Sequence, residues 1–196
     1  MISKDREYRS FEFNQTDEMR IEGVPIVFEQ PTVLFEMDGV KYYEVIDRNA
    51  LQGAKIDDVV LNINHTGKAC AKTKNGTLEL QVRDYDVLMA ADLSKNASGR
   101  ELYESIQNGF YDKMSFAFTY TETSYDKATR TRRIMKIDRL YDVSAVDFPA
   151  YNQTSLQARS FFEAEAQREI MEMIELEKRK RVLNLKLKLR GENHGN

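Results

Sequence analysis

A chain of 196 residues with 41% hydrophobic and 31% charged residues has room for one domain plus an appendage. Its formal net charge of −3 carries no basic excess, which argues against a nucleic-acid partner. A single cysteine, Cys70, excludes an internal disulfide, and no stretch approaches the roughly 20 apolar residues of a membrane span. The charged start, MISKDREYRSFEF, lacks the apolar run of a secretion signal, so a soluble intracellular protein is expected.

Residues up to about Asn14 read as a frayed, charged lead-in. Met19–Phe28 and Val40–Ile46 are rich in aromatic and β-branched residues and read as strands, with Asp47 placed to cap a short turn through Leu51. In Asp58–His65 the alternation puts Val59, Leu61, Ile63 and His65 on one strand face. Lys74–Thr77 contains Asn-Gly, a hairpin signal, and TLELQVR and VLMAADL follow as strands. Ser98 and Glu101 have the spacing of a capping box, Leu102 and Ile106 lie one turn apart, and Gly109 suits a helix C-terminus. Beyond it, Met114, Phe116, Phe118 and Tyr120 share one face of a strand, and Ser115, Ala117 and Thr119 the other. That strand and RTRRIMKI look like a long hairpin, and LYDVSAVDFPA closes the strand-rich part at Pro149. From Ser160 on, helix formers dominate and Phe162, Ala166, Ile170, Met173 and Ile174 form a stripe; VLNLKLKLR switches to alternation and is ambiguous. The expected division is a domain over residues 1–159 and a helical, charged tail over 160–196.

Only two histidines occur, and His194 lies in the polar end GENHGN, so imidazole chemistry on a folded scaffold falls to His65. Ser115 is a small hydroxyl between two large apolar neighbours. A serine needs a base within hydrogen-bond reach to act as a nucleophile, and a third group to orient that base. Asp142 and Asp147 are the nearest acidic candidates in the last strand; alternation groups Asp142 with Leu140, Ser144 and Val146 and sets Asp147 on the opposite face. A structural role remains the competing reading for each of these residues. Cys70, five residues beyond His65 and on the other face of an extended strand, is poorly placed to pair with it. No zinc-ligand set, calcium loop or phosphate-binding glycine pattern is present, so no metal or cofactor is expected.

Through Met19 to Leu156 the chain resembles the prohead (capsid-maturation) serine proteases of tailed bacteriophages. The resemblance is carried by RIEGVPIVF, YYEVIDRNAL, VVLNINHTGKACAKTKNGTLEL, SGRELYESIQNGFYDKMSFAF and LYDVSAVDFPAYNQTS. It implies a mostly-β barrel with a few surrounding helices, an α+β fold like that of the herpesvirus assembly proteases. It implies His65 and Ser115 as catalytic base and nucleophile. With no second core histidine, an acidic residue must be the third member, and the position before Val-Ser gives Asp142, with Asp147 as the alternative. The implied substrates are the major capsid protein with its scaffolding portion, and the protease itself, acting in the host cytoplasm inside the immature capsid. Self-association into a homo-oligomer is compatible with this; nucleic acid and membrane are not among the implied partners. The competing function is a capsid-assembly or scaffolding protein that binds capsid subunits without needing catalysis.

Overall fold

The computed structural model describes residues 7–16, 19–37, 39–147 and 156–192. In chain order these form β1 (Glu7–Thr16), β2 (Arg20–Val27), β3 (Thr32–Met37), β4 (Val40–Ile46), β5 (Val60–Ile63) and β6 (Thr66–Lys72). Then come β7 (Leu78–Val82), β8 (Asp86–Asp92), α1 (Ala97–Gln107), β9 (Lys113–Asp126), β10 (Thr131–Val146) and α2 (Leu156–Glu192). By contact the chain divides into a strand-rich unit, Met1–Gln157, and a helical one, Ala158–Asn196.

The ten strands hydrogen-bond in the order β3-β4-β10-β9-β1-β2-β8-β7, with β5 on β10 and β6 on β5. The long β9–β10 hairpin is the spine, and RTRRIMKI and LYDVSAV form one continuous 16-residue strand. Register shifts between Ile134 and Asp142 bend it, as bulges do. The bend lets two strands share one edge. Thr131–Ile134 pairs in parallel with β4, and Asp142–Ala145 pairs in parallel with β5. A barrel gives each strand one neighbour per edge. Here the sheet branches at β10 and ends at β3 and β7, so the expected closed barrel is not formed among the described residues.

Other expectations also change. The expected charged lead-in is strand β1, whose residues 7–12 pair with β9 and 13–16 with β2. Backbone pairing on both edges overrides the weak strand signal of its charged side chains. Asn75-Gly76 does not make a hairpin. A 3-10 turn at Thr73–Asn75, closed by Gly76 at φ 73°, carries the chain from β6 to β7, which pair with different neighbours. The α1 N-cap is Asn96, whose side chain accepts from Gly99 N at 2.7 Å, two residues before the expected Ser98. Gly99 is required there by space: a Cβ would lie 2.5 Å from the Leu93 carbonyl oxygen. Gly109 does end the helix, in the left-handed conformation at φ 74°.

The core of the strand-rich unit joins Ile21, Ile26 and Met89 of β2 and β8 to Met114, Phe116, Phe118 and Val143 of β9 and β10. Leu102 and Ile106 of α1 belong to the same cluster, as the helix spacing predicts. One ion pair is sealed within this unit. Arg132 and Glu44, register partners on β10 and β4, are both buried, with guanidinium contacts of 2.9 and 2.6 Å to Glu44 Oε2 and the Tyr120 ring 5.7 Å from the Arg132 guanidinium carbon. Breaking such a pair strands a charge in a low dielectric. Arg132→Met is therefore expected to cost about 3–5 kcal/mol in urea unfolding, and a loss below about 1 kcal/mol would contradict the pair's role.

The helical unit is the single helix α2. The ambiguous VLNLKLKLR is helical here, because extending an existing helix costs far less than nucleating a new element. Pairs such as Arg179–Glu175 at 3.3 Å support it along its surface. Ile170, Met173 and Ile174 of the expected stripe are exposed. Among the described residues, no helix is long and apolar enough to cross a membrane.

Candidate active site

The site grows from the β5–β6 turn. Ile63 pairs with Thr66, and the two residues between them, Asn64 and His65, have φ of 49° and 58°. Two successive left-handed residues are what a tight type I′ hairpin turn demands, and asparagine is favoured there. His65 therefore does not continue the strand face of Leu61 and Ile63. It sits in a turn whose backbone is held at several points: Asn64 N donates to the Ala145 carbonyl at 2.9 Å, and His65 N donates to Ser144 Oγ at 3.2 Å. A left-handed non-glycine residue persists only when its surroundings fix it, and these bonds do so.

The turn brings the imidazole onto β10. His65 Nδ1 lies 2.6 Å from Asp142 Oδ1, and the Asp142 side chain is almost fully buried. This contact separates the two acidic candidates. Asp147 is exposed and engages Asn64 instead, accepting from Nδ2 at 2.8 Å while its own N–H donates to Asn64 Oδ1 at 3.2 Å. Burial, followed by the Asp147 charge and hydrogen bond, pushes the nearby Tyr111 phenol above its ordinary range.

Ser115 lies one strand over. In the antiparallel β9–β10 pair it is directly opposite Ser144, and in the parallel β10–β5 pair Ser144 is opposite Asn62. Facing residues share one side of a sheet, so Asn62, Ser144 and Ser115 form a polar row, and Asp142 lies two residues from Ser144 on the same face. In the antiparallel β1–β9 pair the backbone position opposite Ser115 is Ser10. The opposite face carries Leu61, Val143 and Phe116 into the core. Ser115 is 1% exposed, and its hydroxyl has no hydrogen-bond partner among the described residues. The structure thus unites His65 with Asp142 and places Ser115 in the adjoining row, without a bond from Ser115 to the imidazole.

Two residues that sequence reasoning passed over as functional are Asn62 and Ser144, both buried. Ser144 Oγ is 2.9 Å from Asp142 Oδ1, 3.1 Å from His65 Nδ1, and in short contact with the Asn62 side-chain amide. The signal available in the sequence was the period-two grouping of Ser144 with Asp142.

Cys70 is poorly suited as a rival nucleophile. It is buried on β6 with its thiol toward the Ser98 carbonyl at 3.5 Å, and burial, assisted by Glu101, pushes the thiol up to about 11. At pH 8 Cys70 is expected to react with a disulfide reagent at least roughly 100-fold more slowly in the native protein than in urea, because the thiolate is the reactive form. Equal rates would contradict its burial. Among the described residues no cluster of three His, Cys, Asp or Glu side chains could hold a metal ion.

Fold and site together define a β-rich domain in which a turn histidine is held by a buried aspartate beside a row of buried hydroxyls. The chain belongs to the caudovirus prohead serine proteases, whose family model matches residues 4–168. No curated protein matches it. A solved structure similar to it is the bacteriophage T4 capsid assembly protease, gp21, with 15% identity, 76% of this chain and 97% of that chain covered, and a TM-score of 0.47.

Proposed function

We propose that this chain is a serine endopeptidase of prohead maturation that cleaves the scaffolding portion and the capsid subunits of an immature shell, and then itself. The observation that carries the reading is the 2.6 Å contact between His65 Nδ1 and Asp142 Oδ1. Committing Nδ1 to a buried carboxylate fixes the tautomer in which Nε2 accepts a proton. Ser144, although 3.1 Å from the ring, touches that committed nitrogen and is itself tied to Asp142, which suits it poorly as a nucleophile. Ser115, as the family resemblance implies, is the nucleophile.

In this mechanism Ser115 Oγ attacks the scissile carbonyl carbon as its proton passes to His65 Nε2. The C–O bond forms while the carbonyl π electrons move to oxygen. Collapse of the tetrahedral adduct breaks the C–N bond, and His65 returns the proton to the leaving amine. Water repeats the sequence on the acyl-enzyme, and Asp142 stabilises the imidazolium each time it forms. Attack requires an approach of about 3–3.5 Å, so Ser115, 1% exposed here, has to become accessible to the substrate for turnover. Exposed residues of α2 supply accessible chain for self-cleavage or for docking to the shell.

Co-expression with the capsid protein carrying its scaffolding portion tests the proposal. Processed products are expected with the wild type and not with Ser115→Ala. Identical bands from both, with no processing, would favour a binding or scaffolding protein in its place.

A further inference from the structure

We infer that Ser144, backed by Asn62, is a positioning residue that locks the His65–Asp142 pair to the strand carrying its neighbour Ser115. The inference rests on the protease reading of the site and deepens it.

Ser144 is fully buried, and its hydroxyl is the meeting point of the site. It contacts the carboxylate oxygen that holds the imidazole at 2.9 Å, and it accepts the His65 backbone N–H at 3.2 Å. It lies 3.1 Å from the same ring nitrogen that Asp142 engages, and it touches the Asn62 amide. A hydroxyl has one proton to donate and two lone pairs to accept with. An ionised Asp142 can only accept, so Ser144 donates to Asp142 and receives the His65 N–H. Asn62 faces Ser144 through Oδ1; because the one hydroxyl proton is committed to Asp142, turning the amide to present its NH2 to Ser144 completes the network.

Each of these bonds fixes something the mechanism needs. The hydrogen bond that Ser144 donates to Asp142 Oδ1 fixes the rotamer of the carboxylate. The bond to His65 N holds the left-handed turn that aims the ring. Strand register then sets the distance, because Ser144 and Ser115 are directly opposed on β10 and β9. Facing residues of an antiparallel pair keep their Cβ atoms about 4.5–5.5 Å apart, so anchoring the pair to Ser144 also anchors it relative to Ser115. Buried networks of this kind specify a geometry only when every member is satisfied, and the analogous outer partners of metal ligands change affinity or activity by about 10–100-fold when removed.

The test has two arms. Ser144→Ala is expected to lower kcat for capsid-precursor cleavage about 10–100-fold with KM within about twofold, as loss of an interaction acting in the transition state requires. The second arm needs no turnover. In histidine-labelled Ser115→Ala protein, the His65 Nδ1–H proton resonance should stand far downfield, and it should move upfield or vanish by exchange when Ser144→Ala is added. His65 is read against His194 alone, since the chain has two histidines. If Ser144→Ala does not fold, Asn62→Ala carries both arms with the same direction and a smaller effect. An unchanged His65 resonance, or a kcat that falls only with the folded fraction, overturns the inference. A shifted resonance, beside a wild type that cleaves no capsid precursor, upholds the network and overturns the protease reading.

Discussion

Ser115→Ala is expected to abolish cleavage of the capsid precursor while leaving the protein at least as stable as the wild type. Removing a nucleophile of this type lowers kcat by roughly 10^4-fold or more, because the remaining groups can only bind and polarise the substrate. The stability half of the prediction comes from burial. Ser115 is 1% exposed, and its hydroxyl has no hydrogen-bond partner among the described residues. A buried, unsatisfied hydroxyl costs roughly 1–3 kcal/mol, so the methyl group of alanine should raise the thermal midpoint or leave it unchanged. Gaining stability while losing function is the signature of a strained functional position. Thermal unfolding of the two proteins, measured beside the cleavage assay, checks both halves. Residual activity near the wild-type level, or a marked fall in stability, would contradict the account of Ser115.

Asp142→Asn and Asp147→Asn are expected to separate sharply, although only four residues lie between them. At position 142 the amide replaces a carboxylate that holds His65 Nδ1 at 2.6 Å, so the imidazole loses both its tautomer control and its counter-charge. The expected loss in kcat is roughly 10^4-fold, the size seen when a triad aspartate becomes asparagine. At position 147 the substituted side chain still offers an oxygen to Asn64 Nδ2 and keeps the backbone N–H that donates to Asn64 Oδ1. Activity there should stay within about fivefold, as expected for an exposed polar contact. Steady-state kinetics on the two variants decide the matter, and comparable losses at both positions would contradict the assignment of Asp142.

The sequence revealed the periodic parts of this architecture and missed the parts that depend on pairing between distant segments. Aromatic and β-branched composition identified β2 and β4, alternation the β9–β10 hairpin, and helical spacing α1 with its buried Leu102 and Ile106. It also grouped Asp142 with Ser144, and those two side chains do share a hydrogen bond. By contrast, β1 is a strand because both of its edges find partners, and nothing in EYRSFEF announces that. The branching at β10 follows from bulges between Ile134 and Asp142, where neither pattern nor composition marks a bend. His65 shows the limit most clearly. Extended alternation pointed it along the Leu61 face, whereas two left-handed residues, Asn64 and His65, turn it toward Asp142. Asn64 carried a weak local signal for that turn; the stabilising partners, Asp147, Ala145 and Ser144, lie some 80 residues away.

The most direct test of the central claim is covalent trapping of the nucleophile. A fluorophosphonate reagent is added to the wild type while capsid precursor is being processed, and the modified residue is located by peptide mass mapping. The expected result is one adduct on Ser115, absent from His65→Gln protein treated in the same way. An adduct on another serine, Ser144 included, or continued processing with Ser115 unmodified, would contradict the account.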